Sequence, residues 1–185
     1  KLSMFMSLKL LKLHWRIFFW TITGKIKRLR SKLELNSNKN IPEEILIVFP
    51  IDEPTFRVTL YTFRNIGKDD IRKRKFIFLV REQFDGLFHL QMGETLFIHN
   101  TKQGNMLTNE KYLLQSLKQN KFDMIVDLNP IFHLGIARLI SMLFSEIKVG
   151  FTSPFSDQFY NIQLDISKSG IMEKGFKQIN LMLAQ

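Results

Sequence analysis

The chain contains no cysteine, no acidic residue before Glu34, no glycine-rich phosphate loop and no hydrophobic run long enough to cross a bilayer. Each absence excludes a class. Without cysteine there is neither a disulfide framework nor a thiolate metal site. The longest charge-free stretch near the N-terminus, Ile17 to Gly24, is closed by Arg16 and Lys25, whereas a spanning helix takes about 20 mainly apolar residues. A secretory signal is disfavoured, because positive charge continues past the apolar part and no small-residue cleavage site follows. The cytoplasm is therefore the expected compartment. The nine glycines are scattered, and neither G-x-G-x-x-G nor G-x-x-x-x-G-K-[ST] follows any apolar run, which excludes the usual dinucleotide and P-loop fingerprints. No G-x-S-x-G nucleophile elbow is present either. The four histidines, His14, His89, His99 and His133, lack metal-ligand spacing, so neither a metal nor a cofactor is expected.

What is present is unevenly placed. Nine of the 27 basic residues fall in the first 33 positions, and from Glu34 onward 18 basic residues face 17 acidic ones. The net charge of +10 is thus nearly all in one N-terminal arm. Its apolar residues Met4, Leu8, Leu11, Trp15, Phe18, Ile22, Ile26, Leu29 and Leu33 step by three and four, the stripe of an amphipathic helix over residues 1–35. Basic residues flank that stripe on both sides, an arrangement suited to phosphate headgroups. Each cation near an anionic leaflet contributes roughly 1 kcal/mol and each large apolar side chain about 1.5–3 kcal/mol when fully buried. Trp15, Phe18, Trp20, Lys25 and Arg28 are the candidate contacts with an anionic membrane surface, the indoles favouring the headgroup layer. Packing of the stripe on the protein's own core or on a partner is the competing reading. The polar tract Asn36 to Asn40 ends before Pro42 and reads as a joint over residues 36–43.

About 145 residues remain, enough for one core. Apolar runs at Ile45–Phe49, Phe76–Val80, Thr95–Ile98, Met124–Leu128 and Ile147–Phe151 have the composition of strands buried on both faces. Amphipathic stretches at Phe56–Ile66, Glu110–Gln119 and His133–Phe144 lie between them, with a further strand at Asn161–Ile166 and a last helix from Ile171 to Ala184. Strand and helix in alternation mean an α/β fold: a Rossmann-like parallel sheet over residues 44–185 with helices on both faces.

Ligands of such sheets sit beyond the carboxyl ends of the strands, which directs attention to two loops. In the first, Pro50 to Thr55, Asp52 is the candidate general base, with Glu53 and Thr55 as substrate-binding neighbours. The same residues also suit a helix cap, with Pro54 in the first turn. In the second, Asp127 to His133, Asn129 and His133 are placed to hydrogen-bond a sugar or phosphate, although Asn before Pro also simply shapes turns.

The order of these segments carries a family resemblance. Glu44-Ile45-Leu46-Ile47-Val48, a loop, a helix ending near Lys68, then Phe76-Ile77-Phe78-Leu79-Val80-Arg81 with Phe84 after it, resembles the N-terminal half of glycosyltransferase family nine, the lipopolysaccharide heptosyltransferases. Lys121-Phe122-Asp123-Met124-Ile125-Val126-Asp127-Leu128, the helix through Ile136-Ala137-Arg138-Leu139, and Lys148-Val149-Gly150-Phe151 are similar to that family's later pieces. The resemblance implies the acceptor half of a GT-B architecture, with a second domain holding the nucleotide-sugar, and transfer with inversion to a lipid-linked envelope glycan. The first loop departs from it. Where the family has a Gly-Asp pair, alignment from the helix end places Thr55-Phe56, and Asp52 lies three residues earlier.

Two readings follow: the acceptor half of an enzyme peripheral to the inner face of the membrane, or a non-catalytic membrane-bound binding or scaffolding module of the same fold. Nucleic acid is not an expected partner, since the cations sit on a helix with a large apolar side while the body is almost neutral. The basic run Lys68 to Lys75 is interleaved with Asp69 and Asp70 and reads as a solvated turn.

Overall fold

The structure, a computed structural model, describes residues 2–29, 42–66, 74–90, 93–99, 101–102, 106–166 and 172–184. The polar joint, and the basic run as far as Lys73, lie outside the described residues. The elements are α1 (Leu2–Ile22), β1 (Glu44–Val48), α2 (Glu53–Phe63), β2 (Lys75–Arg81), a 3₁₀ turn over Glu82–Leu87, β3 (Glu94–Ile98), β4 (Thr101–Lys102), β5 (Met106–Leu107), α3 (Glu110–Leu117), β6 (Met124–Asp127), α4 (Leu134–Met142), β7 (Ile147–Phe151), a 3₁₀ turn over Ser156–Gln158, β8 (Ile162–Leu164) and α5 (Met172–Ala184).

Six strands form one sheet in the order β3-β2-β1-β6-β7-β8, and every pairing is parallel. The two-residue strands β4 and β5 make a separate antiparallel hairpin. Period-two alternation splits the strand side chains between two cores. Leu46, Val48, Ile77, Leu79 and Ile125 point into a layer with Leu113 and Leu117 of α3 and Leu134, Ile136, Leu139 and Ile140 of α4. Ile45, Ile47, Phe76, Phe78, Val80, Met124 and Val126 point the other way, against Phe56 and Phe63 of α2 and Phe176, Ile179 and Leu183 of α5. Both faces of the sheet are therefore dry, which is why β1, β2 and β6 read as unbroken apolar runs.

The N-terminal helix corrects two expectations. It ends at Ile22 rather than running on through Leu33, and Gly24 at φ +70° turns the chain there. Only glycine takes that backbone region without a steric cost. It is also seated on the body, by a face other than the stripe. Ile17, 1% exposed, and Ile26 beyond the helix enter the α3/α4 core, with Leu13 and Trp20 packed against them. Trp20 is thus turned inward, away from the membrane-facing set in which the sequence placed it. The Arg138 guanidinium of α4 lies 5.0 Å from the centre of its indole, and Arg138 Nε donates to the Lys25 carbonyl at 3.1 Å. Leu8, Leu11, Trp15, Phe18 and Ile22 lie on the opposite face, and all are exposed. Of the described helices, none is long and apolar enough to cross a membrane.

Candidate functional site

Strand order reverses direction between β1 and β6, since β2 and β3 lie on one side of β1 while β6, β7 and β8 extend on the other. Such a reversal opens a crevice at the carboxyl ends of the two central strands. Both loops singled out in the sequence start there, after Val48 and after Asp127.

Asp52 is the N-cap of α2, with extended backbone, and Pro54 stands in the first turn. Its Oδ1 accepts from the Thr55 amide at 3.1 Å and from Thr55 Oγ1 at 2.5 Å. The cap is therefore real, and it fixes the carboxylate at the mouth of the crevice. Glu53 turns along the helix surface into an exposed pair with Arg57 at 2.7 Å. Such a pair contributes little. Thr55 is buried.

Asn129 and Asp127 tie the two loops together. Asn129 Oδ1 accepts from the Ile51 amide at 3.0 Å, while Asn129 Nδ2 donates to Asp127 Oδ1 at 2.7 Å. Asn129 N donates to the same oxygen at 3.0 Å. The other Asp127 oxygen accepts from the Tyr160 hydroxyl at 2.5 Å. Burial raises the Asp127 carboxyl above its usual range, and the bonds from Tyr160 and Asn129 work against that rise. Burial and the adjacent Asp127 push the Tyr160 phenol well up, so it remains a hydrogen-bond donor. From β2, Arg81 Nη1 donates to the Ile51 carbonyl at 2.9 Å. The Pro50–Asp52 loop is thus held at both polar groups of Ile51.

His133 stands at the N-cap of α4 but makes no side-chain cap hydrogen bond. Burial lowers its pKa, while the charge of Asp52 acts in the opposite sense. The crevice accordingly brings together the Asp52 carboxyl group, an imidazole biased toward neutrality and, hydrogen-bonded to Asp52, the Thr55 hydroxyl. These are groups that orient a hydroxyl nucleophile and take its proton. Among the described residues, no three His, Asp or Glu side chains cluster so as to hold a metal ion.

The fold as a whole is similar to solved glycosyltransferase structures. The E. coli heptosyltransferase WaaC with ADP superposes with a TM-score of 0.57 at 18% identity, over 74% of this chain and 45% of that one. The fold is that of a family-nine glycosyltransferase. WaaC with ADP-2-deoxy-2-fluoro heptose gives a TM-score of 0.56 at 17% identity, over 74% and 47% of the two chains. A family-nine glycosyltransferase from Veillonella parvula gives 0.57 at 11%, over 76% and 41%. The chain spans less than half the length of each of these structures. No family model and no curated protein matches it by sequence.

Within the glycosyltransferase fold, Asp52, Thr55, Asn129 and His133 converge on the crevice, whereas Glu53 is drawn to Arg57. Sequence reasoning did not single out Asp127, Tyr160 or Arg81 as site residues. A charge directly at the end of an apolar strand, as at Asp127 and Arg81, was the available signal. Tyr160, 33 positions from Asp127, left none.

Proposed function

We propose that this chain is the acceptor-side half of a membrane-associated, inverting glycosyltransferase that moves a sugar from a nucleotide-sugar to a lipid-linked envelope glycan at the cytoplasmic face of the membrane. The nucleotide-sugar is held by a second domain or partner chain. The meeting of Asp52, Thr55 and His133 at the β1/β6 reversal carries this reading, and the glycosyltransferase fold supports it. Asp52 accepts the proton of the attacking acceptor hydroxyl. Thr55 holds the carboxylate, and Asn129 holds the loop that presents it. His133 offers a neutral nitrogen to the glycan. The exposed stripe of α1 with its basic neighbours rests on the anionic leaflet where such acceptors are found.

The deacylated headgroup glycan of an envelope glycolipid, titrated into the isotopically labelled chain, tests acceptor binding without a donor. Saturable amide shifts at Thr55, Asn129 and His133, lost in Asn129→Ala, are expected. A flat titration into the millimolar range rejects the acceptor role.

Two observations favour the second reading, a non-catalytic module. Asp52 Oδ1 takes both hydrogen bonds from Thr55, and no Gly-Asp pair stands in the first loop. Glycan binding that is saturable yet indifferent to Asp52→Asn, with no transfer when a donor-binding half is supplied, selects the module.

A further inference from the structure

On the amino-end edge of the sheet, opposite the crevice, the turn after α1 closes over an open pocket of about 900 Å3. Lys27 and Arg28 line it from that turn, Lys118 from the end of α3, Lys148 from β7, and Phe144 and Ser145 from the segment after α4. No carboxylate is among the described residues of its lining. Four cations therefore share one hollow whose described lining holds no countercharge, while the carboxylate of Asp157 lines the hollow next to it.

Lys148 is the unusual member, because its side chain is 6% exposed. Its Nζ donates to the Ile140 and Leu143 carbonyls, each at 2.9 Å, and so closes the C-terminal end of α4. An ammonium carries three N–H donors, which leaves one beyond those two bonds. Burial depresses its pKa to about 8, and the charge of Lys27 adds to the depression. The two ammonium groups thus repel each other, a repulsion that an anion bound between them would offset.

The surroundings decide what kind of anion fits. Phe144, 66% exposed, lines the pocket. An adjoining hollow of about 380 Å3 shares Thr21, Ile26, Arg28 and Leu29 with it and is walled by Phe18 and Ile22 of the exposed stripe on one side and by His14, Asp157 and Gln158 on the other. A soluble phosphate would satisfy the cations and leave these apolar surfaces in water. An amphiphile covers both.

We propose that this pocket binds the phosphate of an anionic glycerophospholipid headgroup, with Lys27, Arg28, Lys118 and Lys148 as its donors. The proposal rests on the membrane reading of α1 given above and adds to it a defined lipid site, apart from the acceptor crevice.

The full chain is compared with Lys27→Ser/Lys118→Ser and with a control of equal charge loss outside the pocket, Lys12→Ser/Lys25→Ser. All four positions are exposed, so folding is preserved. Binding to vesicles of phosphatidylcholine with one quarter phosphatidylglycerol should weaken about tenfold more in the pocket pair than in the control. Equal weakening of the two pairs means diffuse surface charge and overturns the site. Dihexanoyl phosphatidylglycerol, titrated below its micellar concentration, should shift the Phe144 and Ser145 amides of the unmodified chain and not those of Lys148→Met. Glycerol phosphate binding as tightly as that short lipid would overturn the lipid assignment. Vesicle binding without any amide shift overturns the pocket and leaves the membrane reading standing. Amide shifts without vesicle binding support the pocket and remove the bilayer from the reading.

Discussion

Replacing Ile17 by alanine should destabilise the protein by about 2–3 kcal/mol, whereas the same change at Phe18 should cost no more than about 0.5 kcal/mol. The two residues are neighbours on one helix, yet Ile17 is 1% exposed and Phe18 is 53% exposed. Truncating a buried isoleucine to alanine costs about 2–5 kcal/mol, the spread reflecting how far the site collapses. The lower half applies here, because α1 lies on the outside of its layer and can settle inward, and because alanine is the better helix former by a few tenths of a kcal/mol. Surface substitutions usually stay within about 0.5 kcal/mol. Urea unfolding followed by far-ultraviolet circular dichroism measures both, against a total stability on the order of 5–15 kcal/mol. Vesicle binding should show the reverse order. Phe18→Ala should lose about 1 kcal/mol, roughly fivefold, since only the exposed half of the ring is there to enter lipid, and Ile17→Ala should lose little. Equal and negligible stability losses at both positions would mean that α1 does not dock on the body.

Gly150 supports the crevice from a distance. A Cβ there would stand 2.7 Å from the Tyr160 ring, so Gly150→Ala should push Tyr160 off Asp127 and cost about 2–4 kcal/mol by overpacking and a lost buried hydrogen bond. A change in urea midpoint worth less than 0.5 kcal/mol would contradict this. Lys148 makes stability depend on alkaline pH. Its folded pKa of about 8 lies below the unfolded value near 10.5, so the unfolded chain binds the extra proton and folding stability rises with pH. Between pH 8 and 10 the rise is about 2 kcal/mol, and it should be absent from Lys148→Met measured in parallel. Arg138 pairs with Glu110 at 2.9 Å where both are largely covered, and burial already raises the Glu110 carboxyl. Arg138→Met should cost about 2–3 kcal/mol by leaving that carboxylate without its partner. The double variant with Glu110→Gln should recover part of the loss, and a strictly additive result would show that the two do not couple.

The sheet was legible because its strands are buried on both faces. ILIV at 45–48, FIFLV at 76–80 and MIVD at 124–127 have no competing helical reading at that length, and each is a strand of the observed sheet. Alternation with amphipathic stretches then dictated parallel pairing, and the paired registers agree. The hairpin β4–β5 was not legible, since two residues a side carry no periodicity. At the crevice, the carboxylate and the imidazole could be singled out because they lie in the loops that follow two strand ends. The tie between them could not. Asn129 reaches Ile51 across 78 positions and Asp127 meets Tyr160 across 33, and a pairing of that kind has no local signature.

The N-terminal helix shows why a complete stripe does not by itself identify the buried face. Leu8, Leu11, Trp15, Phe18 and Ile22 make the longer and more regular ladder, and it faces outward. The shorter set Leu13, Ile17 and Trp20 lies about half a turn away and meets the core. Periodicity reports that a face is apolar but not what covers it. Docking changes what the helix can do. A free tether of some 20 residues would let the body tumble over tens of ångströms. A docked helix fixes one geometry. The His14 ring lies 6.1 Å from Phe155, just past the carboxyl end of β7, whereas Thr21 and Gly24 line the pocket on the amino-end edge beside Ser145 and Lys148. The axis of α1 therefore crosses the sheet layer from one edge to the other. On the proposed function, a bilayer resting on its outer stripe would hold the crevice at a set height and orientation, as a site needs if its acceptor is itself anchored in lipid.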